Sequence, residues 1–272
     1  MIRARTVGWL GLAALTLGFG FLYAPIVLLV LYSFNASRLV TVWGGFSPRW
    51  YGALLHNEAF GAAALTSLEV AAMSATLSLV LGAFAGFSMA RFARFPGRLV
   101  FGFALLAPLV VPEVILGLSL LLLFVMCQNW FGWPGRGMLT ITIAHATFGV
   151  CFVSVLVRSQ LAGFDRAFEE AALDLGARPW TVLMRITLPG ISPALVSGWL
   201  LAFTLSLDDL VIASFVTGPS ATTLPMAVFS RVRLGVSPEV NALATLFLAF
   251  VFMLVALAGW LMARAERRRR IT

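Results

Sequence analysis

The sequence predicts an all-α membrane protein with six transmembrane helices. Hydrophobic residues make up 61% of the 272 residues, charged residues make up 11%, and the mean hydropathy is +0.98. A water-soluble domain does not carry so apolar a composition. The apolar residues also fall in runs of about 20 residues or more, long enough to cross a bilayer as helices. These runs lack the two-residue alternation of strands, which again favours helices.

Six spans are predicted, at about residues 9–33, 60–90, 99–127, 138–158, 190–217 and 240–263. The first apolar run continues to Phe34 without a clear small-residue cleavage site, so we interpret it as an uncleaved helix and not as a signal peptide. The predicted organisation is a first transmembrane helix with an outer loop over residues 1–59, a core of five spans over 60–263, and a basic tail over 264–272.

Spans two and three carry signals of close packing and of bending. Gly82 and Gly86 lie four residues apart in span two, a spacing that lets helices approach closely in lipid. Glu69 occupies the same span. In span three, Pro112 removes a backbone donor, which predicts a bend and a half-helix whose first turn contains Glu113. That carboxylate either stabilises the helix start or faces a transport pathway, and both interpretations stay open.

Span five contains two adjacent carboxylates, Asp208 and Asp209. A charge at the centre of a membrane helix costs roughly 2.5–3.5 kcal/mol on insertion scales, so such residues usually face a cavity or a partner. On one continuous helix the two side chains would point about 100° apart. We therefore expect one of them to hold structure while the other meets substrate. The candidate residues of a substrate pathway are Asp208, Asp209, Glu113 and Glu69.

Arginine determines the predicted orientation, because the chain contains no lysine. By the predicted spans, fourteen of the 19 basic residues lie on the side that holds both termini and the 159–189 stretch, and five lie on the other side. Positive residues accumulate on the cytoplasmic side of a membrane protein. The sequence thus predicts a multi-pass membrane protein with both termini in the cytoplasm.

The stretch between spans four and five, residues 159–189, is too polar to lie in lipid. One apolar stripe and one acidic face predict an amphipathic helix. The stripe contains Phe168, Ala171, Ala172 and Leu175, and the acidic face contains Glu169, Glu170 and Asp174. Gly176 suits the left-handed residue that ends a helix, and Pro179 suits the first position of a second short helix. Two short helices joined by a tight bend are therefore predicted between the spans.

This stretch resembles the EAA loop of bacterial ABC importer permeases, which has the same residues at the same spacing. The resemblance implies the type I ABC importer permease fold and a loop that docks on a cytoplasmic ATPase. The ATPase-coupling residues that it implies are Glu170, Ala171, Ala172, Gly176, Ile186, Leu188 and Pro189. Since the chain has no Gly-x-x-x-x-Gly-Lys loop, ATP hydrolysis is expected in a separate subunit, and the chain is expected to be a transport subunit and not an enzyme.

Further stretches, among them LSLDDLVIASFVTGP and TTLPMAVFSRVR, resemble permease subunits of polyamine importers, in particular those for putrescine. The resemblance implies transport of putrescine or another polyamine. It also implies a complex with a sister permease subunit, a dimer of ATP-binding subunits and a periplasmic polyamine-binding protein, embedded in membrane lipid. No cofactor is expected.

Two other interpretations stay open. An ion-coupled secondary transporter would use Asp208, Asp209 and Glu113 as a proton or sodium site, but it would leave the EAA stretch without a purpose. An ABC importer permease for a different substrate would keep the loop and change the ligand. Binding to nucleic acid has little support, because the basic residues are scattered along the membrane boundaries.

The cysteines and histidines show no pattern typical of a reactive site. Cys127 and Cys151 lack the spacing of a metal site or a disulfide framework. His56 and His145 are isolated in the sequence, with no nucleophile beside them. We therefore expect neither a catalytic nor a metal site.

Overall fold

The computed structural model describes residues 9–39, 42–92, 94–219, 221–234 and 238–269. Within this part of the chain, regular structure is helical, and the extended segments pair only at an isolated antiparallel bridge between Asn35 and Phe46. Five of the described helices are long and apolar enough to cross a membrane, and a bent helix pair makes a sixth span if it is counted as one. The predicted fold class is confirmed. Arg3, Arg5 and Arg270, which contributed to the predicted orientation, lie outside the described residues.

The helices follow the predicted spans with two interruptions. In chain order they are α1 (Trp9–Ser33), α2 (Arg49–Leu55), α3 (Glu58–Arg91), α4 (Arg98–Val110), α5 (Glu113–Phe131), α6 (Met138–Ala162), α7 (Ala167–Asp174), α8 (Pro179–Val182), α9 (Leu188–Gly190), α10 (Ser192–Asp208), α11 (Val211–Val216), α12 (Leu224–Leu234) and α13 (Pro238–Arg269). A π-helical turn, Leu183–Thr187, joins α8 to α9. Predicted span three is divided into α4 and α5, and predicted span five into α10 and α11.

The first interruption follows from local chemistry. Pro112 has no backbone N–H, and Val111 before it adopts the extended conformation, with φ −75° and ψ 131°. Residues that precede proline favour this region of backbone space. Helix α5 then begins at Glu113, which confirms the predicted half-helix with a carboxylate in its first turn.

The second interruption corrects a prediction. Helix α10 ends at Asp208, and Asp209 is extended, with φ −66° and ψ 128°. The two carboxylates therefore do not lie about 100° apart on one helix. The physical reason is that the Asp209 carboxylate accepts hydrogen bonds from the N–H groups of Ala213, at 2.8 Å, and Ile212, at 3.4 Å. These bonds satisfy backbone N–H donors in the first turn of α11. A helix start that is stabilised in this way competes with the continuation of α10 as one unbroken helix.

The chain divides into two compact units, and the first combines residues 1–61 with 228–272. In its described part, α13 contacts α1 and α2. The predicted outer loop of this unit is ordered by Asn35, whose side-chain oxygen accepts hydrogen bonds from the N–H groups of Ser37 and Gly44. The indole N–H of buried Trp50 donates to the Asn35 carbonyl at 2.7 Å. The loop therefore contains a helix, α2, that carries a buried tryptophan.

The second unit, residues 62–227, holds the candidate site. Helices α3 and α6 approach closely at Gly82, where an added Cβ would lie 2.6 Å from the Cβ of Val153. A Cβ added at Gly86 would likewise lie 2.6 Å from the carbonyl oxygen of Ser154. The close approach predicted for these two glycines is confirmed. Helix α11 packs against both α5 and α6, and its apolar side chains enter a core that contains Val70, Leu120, Phe124, Ile141, Ala144, Ile212, Ala213 and Val216.

Candidate functional site

Helix α7 ends as its sequence predicts. The N–H of Gly176 donates to the carbonyl of Leu173 at 2.9 Å, and the N–H of Ala177 donates to that of Ala172 at 3.0 Å. This pair of bonds defines a Schellman motif, which needs a left-handed residue after the helix. Gly176 occupies that place with φ +84°. The tight bend is therefore stabilised by local backbone bonds.

The second helix also begins where predicted, at Pro179. The N–H groups of Thr181 and Val182 donate to the carbonyl of Arg178, at 2.8 and 3.1 Å. The helical path then runs through the π turn to Gly190 and bends by 67° into α10. Gly190 lies directly against the ring of Phe164, so any Cβ at this position would meet that ring.

The apolar side of this segment is exposed. Leu175 is 89% exposed, Trp180 65% and Phe168 63%. Of the seven residues named for ATPase coupling, Glu170, Ala171, Gly176 and Pro189 are exposed, and Ala172, Ile186 and Leu188 are half-buried. Phe168 and Leu175 belong to the same apolar stripe of α7, and an exposed apolar patch is typical of an interaction site.

The acidic side of α7 is divided between two surroundings. Glu170 is exposed, whereas Oε1 of Glu169 accepts a hydrogen bond from Nη2 of Arg91 at 2.8 Å and another from Oγ1 of Thr187 at 2.6 Å. The side chains of Arg91 and Glu169 are 11% and 16% exposed. Arg166 forms a second contact with α3, because its guanidinium donates a hydrogen bond to the carbonyl of Ala90 at 3.3 Å. Helix α7 is thus attached to the end of α3 and to the π turn.

A chain of polar contacts surrounds the interruption between α10 and α11. Oδ2 of Asp209 lies 3.0 Å from Nε2 of His145, on α6. Nδ1 of His145 shares a hydrogen bond of 2.6 Å with Oγ of Ser206, on α10. The hydroxyl of Ser74, on α3, donates to Ser206 at 2.9 Å. We call Asp209, His145, Ser206 and Ser74 the polar chain; it joins three helices to the interruption.

The polar chain corrects the expectation that His145 is isolated. Its order, carboxylate, imidazole and hydroxyl, is also that of a hydrolase triad. Ser206, however, is buried in the interior of α10, where the backbone N–H groups serve the helix. An oxyanion hole needs free donors beside the nucleophile, and the position of Ser206 does not offer them. The polar chain is a structural arrangement.

Asp208 differs from Asp209 in its surroundings. It is the last residue of α10 and is exposed, and the carboxylates of Asp209 and Glu113 lie close enough to interact with it electrostatically. Glu113, the first residue of α5, is exposed as well. The structure therefore brings together three of the four predicted pathway residues at the two helix interruptions. Glu69 is exposed on α3 and, among the described residues, does not belong to this group.

Residues 78–271 match a family described as the binding-protein-dependent transport system inner membrane component. The chain belongs to this family. The predicted ABC importer permease is thereby confirmed. The chain is an integral inner-membrane transport subunit and not an enzyme, and the ATPase is a separate subunit. The domain boundaries at residues 59 and 263 stay a prediction.

Relatives of this permease cover nearly its whole length. It is 59% identical over 256 residues to the putrescine transport system permease protein PotI of Escherichia coli (strain K12), covering 94% of this chain and 91% of the relative. It is 41% identical over 250 residues to the spermidine/putrescine transport system permease protein PotC of the same strain, covering 92% of each.

Solved structures show the same fold. A chain of a bacterial ABC transporter that imports the acidic polysaccharide alginate matches with a TM-score of 0.67 and 18% identity, covering 95% of this chain and 98% of that one. A chain of the MetNI methionine ABC transporter matches with a TM-score of 0.62 and 18% identity, covering 75% of this chain and 94% of that one. The all-α fold is that of type I importer permeases.

The sequence did not predict the contacts of Glu169, His145 and Ser206, because each of these residues contacts a partner that is distant in the chain. Glu169 adjoins the EAA residues, but its partner Arg91 lies 78 positions away. His145 and Ser206 are 61 positions apart. Only His145 could have been singled out from the sequence. It lies within an apolar span, where a polar side chain needs a hydrogen-bond partner.

Proposed function

We propose that this permease subunit carries putrescine, or a closely related polyamine, across the inner membrane. The observation that carries the proposal is the 59% identity to a putrescine permease over 94% of the chain. The acidic residues at the helix interruptions support it independently, because a polyamine is a cation that loses hydration as it leaves water. Family membership argues against the ion-coupled secondary transporter, since the permease works in the context of an ABC transporter.

Asp208 and Glu113 are the residues that we assign to the cation. Irregular backbone at membrane depth is tolerated where it lines a cavity or is buried in protein, and both residues lie beside such backbone. Asp208 also ends α10, and the carbonyl groups at a helix C-terminus carry partial negative charge. A cation would therefore meet a carboxylate and a helix end together. Asp209 has the holding role, because His145 and the start of α11 already engage its oxygens.

The exposed apolar side of α7 and α8 is the surface that we assign to the ATP-binding subunits. Glu170, Ala171, Gly176 and Pro189 are accessible for this contact, and Ile186 and Leu188 support it from half-buried positions. The full complex then contains a sister permease subunit, two ATP-binding subunits and a periplasmic polyamine-binding protein. The EAA segment and both termini face the cytoplasm, in keeping with the arginine distribution.

The experiment measures uptake of labelled putrescine by cells that lack other polyamine importers. Asp208→Asn and Glu113→Gln keep side-chain size and remove charge, so we expect each to lower uptake at least tenfold while the complex assembles and hydrolyses ATP. Glu58→Gln, at the exposed start of α3, is the matched control and should transport normally. Normal uptake by the Asp208→Asn, Glu113→Gln double variant would contradict the role of these carboxylates, and absence of polyamine uptake by the wild type would contradict the substrate class.

A further inference from the structure

The contact between Glu169 and the helix bundle lies outside the exposed coupling surface. One carboxylate oxygen of Glu169 receives both Arg91, from the end of α3, and Thr187, from the end of the π turn. Thr187 is only 2% exposed. We call Glu169, Arg91 and Thr187 the latch. It joins α7 to the end of α3 and to the π turn.

The latch is short and largely withdrawn from water. Charge-assisted hydrogen bonds of 2.6–2.8 Å are among the stronger ones in proteins. Loss of one partner of a mostly buried ion pair leaves the other charge desolvated and uncompensated, and that loss is far more costly than the loss of a surface pair. Helix α7 therefore resists displacement from α3 and from the π turn.

Helix α3, which the latch joins to α7, meets α10 at the polar chain. Ser74 lies seventeen residues before Arg91 on α3, about 26 Å along the helix axis, and it donates to Ser206 of α10. Ser206 in turn contacts His145, which holds Asp209 at the helix interruption. Contacts of known geometry thus connect α7, through α3 and α10, with the interruption beside Asp208.

We propose that Glu169 is a positioning residue that holds α7 against α3 and against the π turn, so that a movement imposed on α7 passes into α3 directly and into α10 through the π turn. Without the latch, the exposed contact of Arg166 with the carbonyl of Ala90 would remain, and the exposed turns around Gly163 and Gly176 would absorb most of that movement. The inference rests on the proposed coupling function of residues 159–189. It concerns a different property, however: Glu169 transmits a movement and does not form the docking surface.

The test uses the whole importer in proteoliposomes: this chain, its sister permease, the ATP-binding subunits and the polyamine-binding protein. We measure ATPase co-purification, ATP hydrolysis with and without putrescine-loaded binding protein, and putrescine moved per ATP. For Glu169→Gln we expect unchanged co-purification, because the exposed apolar side is intact. Stimulation of hydrolysis by the loaded binding protein should fall at least tenfold. Asp174→Asn, which removes an exposed carboxylate from the same helix, is the matched control and should behave as wild type.

The charge-exchanged pair, R91E with E169R, separates the latch from a general need for either residue. We expect the exchange to restore most of the stimulation that either single change abolishes, with a coupling of about tenfold, or ~1.4 kcal/mol. Normal stimulation in Glu169→Gln would overturn the proposal. So would a parallel loss of ATPase co-purification, or an exchanged pair that accumulates normally without recovering stimulation. If the wild-type importer itself shows no stimulated hydrolysis or uptake, the proposed function fails instead.

Discussion

Replacement of Asp209 by alanine should loosen the packing of α10 against α6. The contacts of Asp209 give the size of the expected loss in free energy. The change removes the acceptor of the N–H groups of Ala213 and Ile212, a cap-like contribution of about 0.5–2 kcal/mol. It also leaves Nε2 of buried His145 without its acceptor, which costs about 1–3 kcal/mol. Together these losses should make Asp209→Ala lower the free energy of local opening by about 1.5–5 kcal/mol.

The assay uses Cys151 as an internal reporter. This thiol lies on α6, as His145 does, and is only 1% exposed. It reacts with a thiol reagent only when the helices around it open. With Cys127 replaced by serine, labelling of Cys151 in the assembled importer reports that opening alone. A cost of about 1.5–5 kcal/mol corresponds to labelling about 10- to 4,000-fold faster than in the parent.

Asp208→Ala is the matched control for this experiment, because it removes the same group from the adjacent, exposed position. A surface substitution usually changes stability by about 0.5 kcal/mol or less, so labelling should stay within about threefold of the parent. The reasoning is refuted if Asp209→Ala also stays within that range, or if Asp208→Ala accelerates labelling to the same extent.

Two further predictions concern helix packing and orientation. Gly82→Val should prevent the native approach of α3 to α6, since even a Cβ would lie 2.6 Å from Val153, and accumulation of the folded importer should fall severalfold; Gly61→Val, which meets nothing within 4 Å, should accumulate normally. A cysteine introduced by Arg178→Cys, in a chain without Cys127 and Cys151, should be shielded from an impermeant thiol reagent in intact cells and labelled after lysis. Labelling before lysis would reverse the predicted orientation.

The two carboxylates of span five illustrate how one sequence feature acquires two roles. Two adjacent aspartates suggest one shared function. In the structure, however, Asp209 contacts buried groups and Asp208 is exposed. The division follows from the extended backbone at Asp209, which directs this side chain towards α6 and the start of α11. The expectation that one carboxylate holds structure agrees with this geometry. Its substrate-facing counterpart stays a proposal.

The sequence by itself determined the features that depend on composition and on a few neighbouring residues. Apolar runs determined the spans, because the bilayer requires about 20 apolar residues whatever the packing. Pro112 determined the start of α5, and Gly176 and Pro179 determined the bend between α7 and α8, because backbone geometry and capping act over a single helical turn.

Only the tertiary structure decided where the polar side chains find their partners. Asp209 contacts His145 across 64 positions and Glu169 contacts Arg91 across 78, so neither pair leaves a periodic or local pattern in the sequence. The first pair meets where α10 packs against α6, and the second meets where α7 lies against the end of α3. A buried polar group must be satisfied by whatever the packing places beside it. For that reason the end of α10 and the attachment of α7 follow from the assembled bundle and not from their own residues.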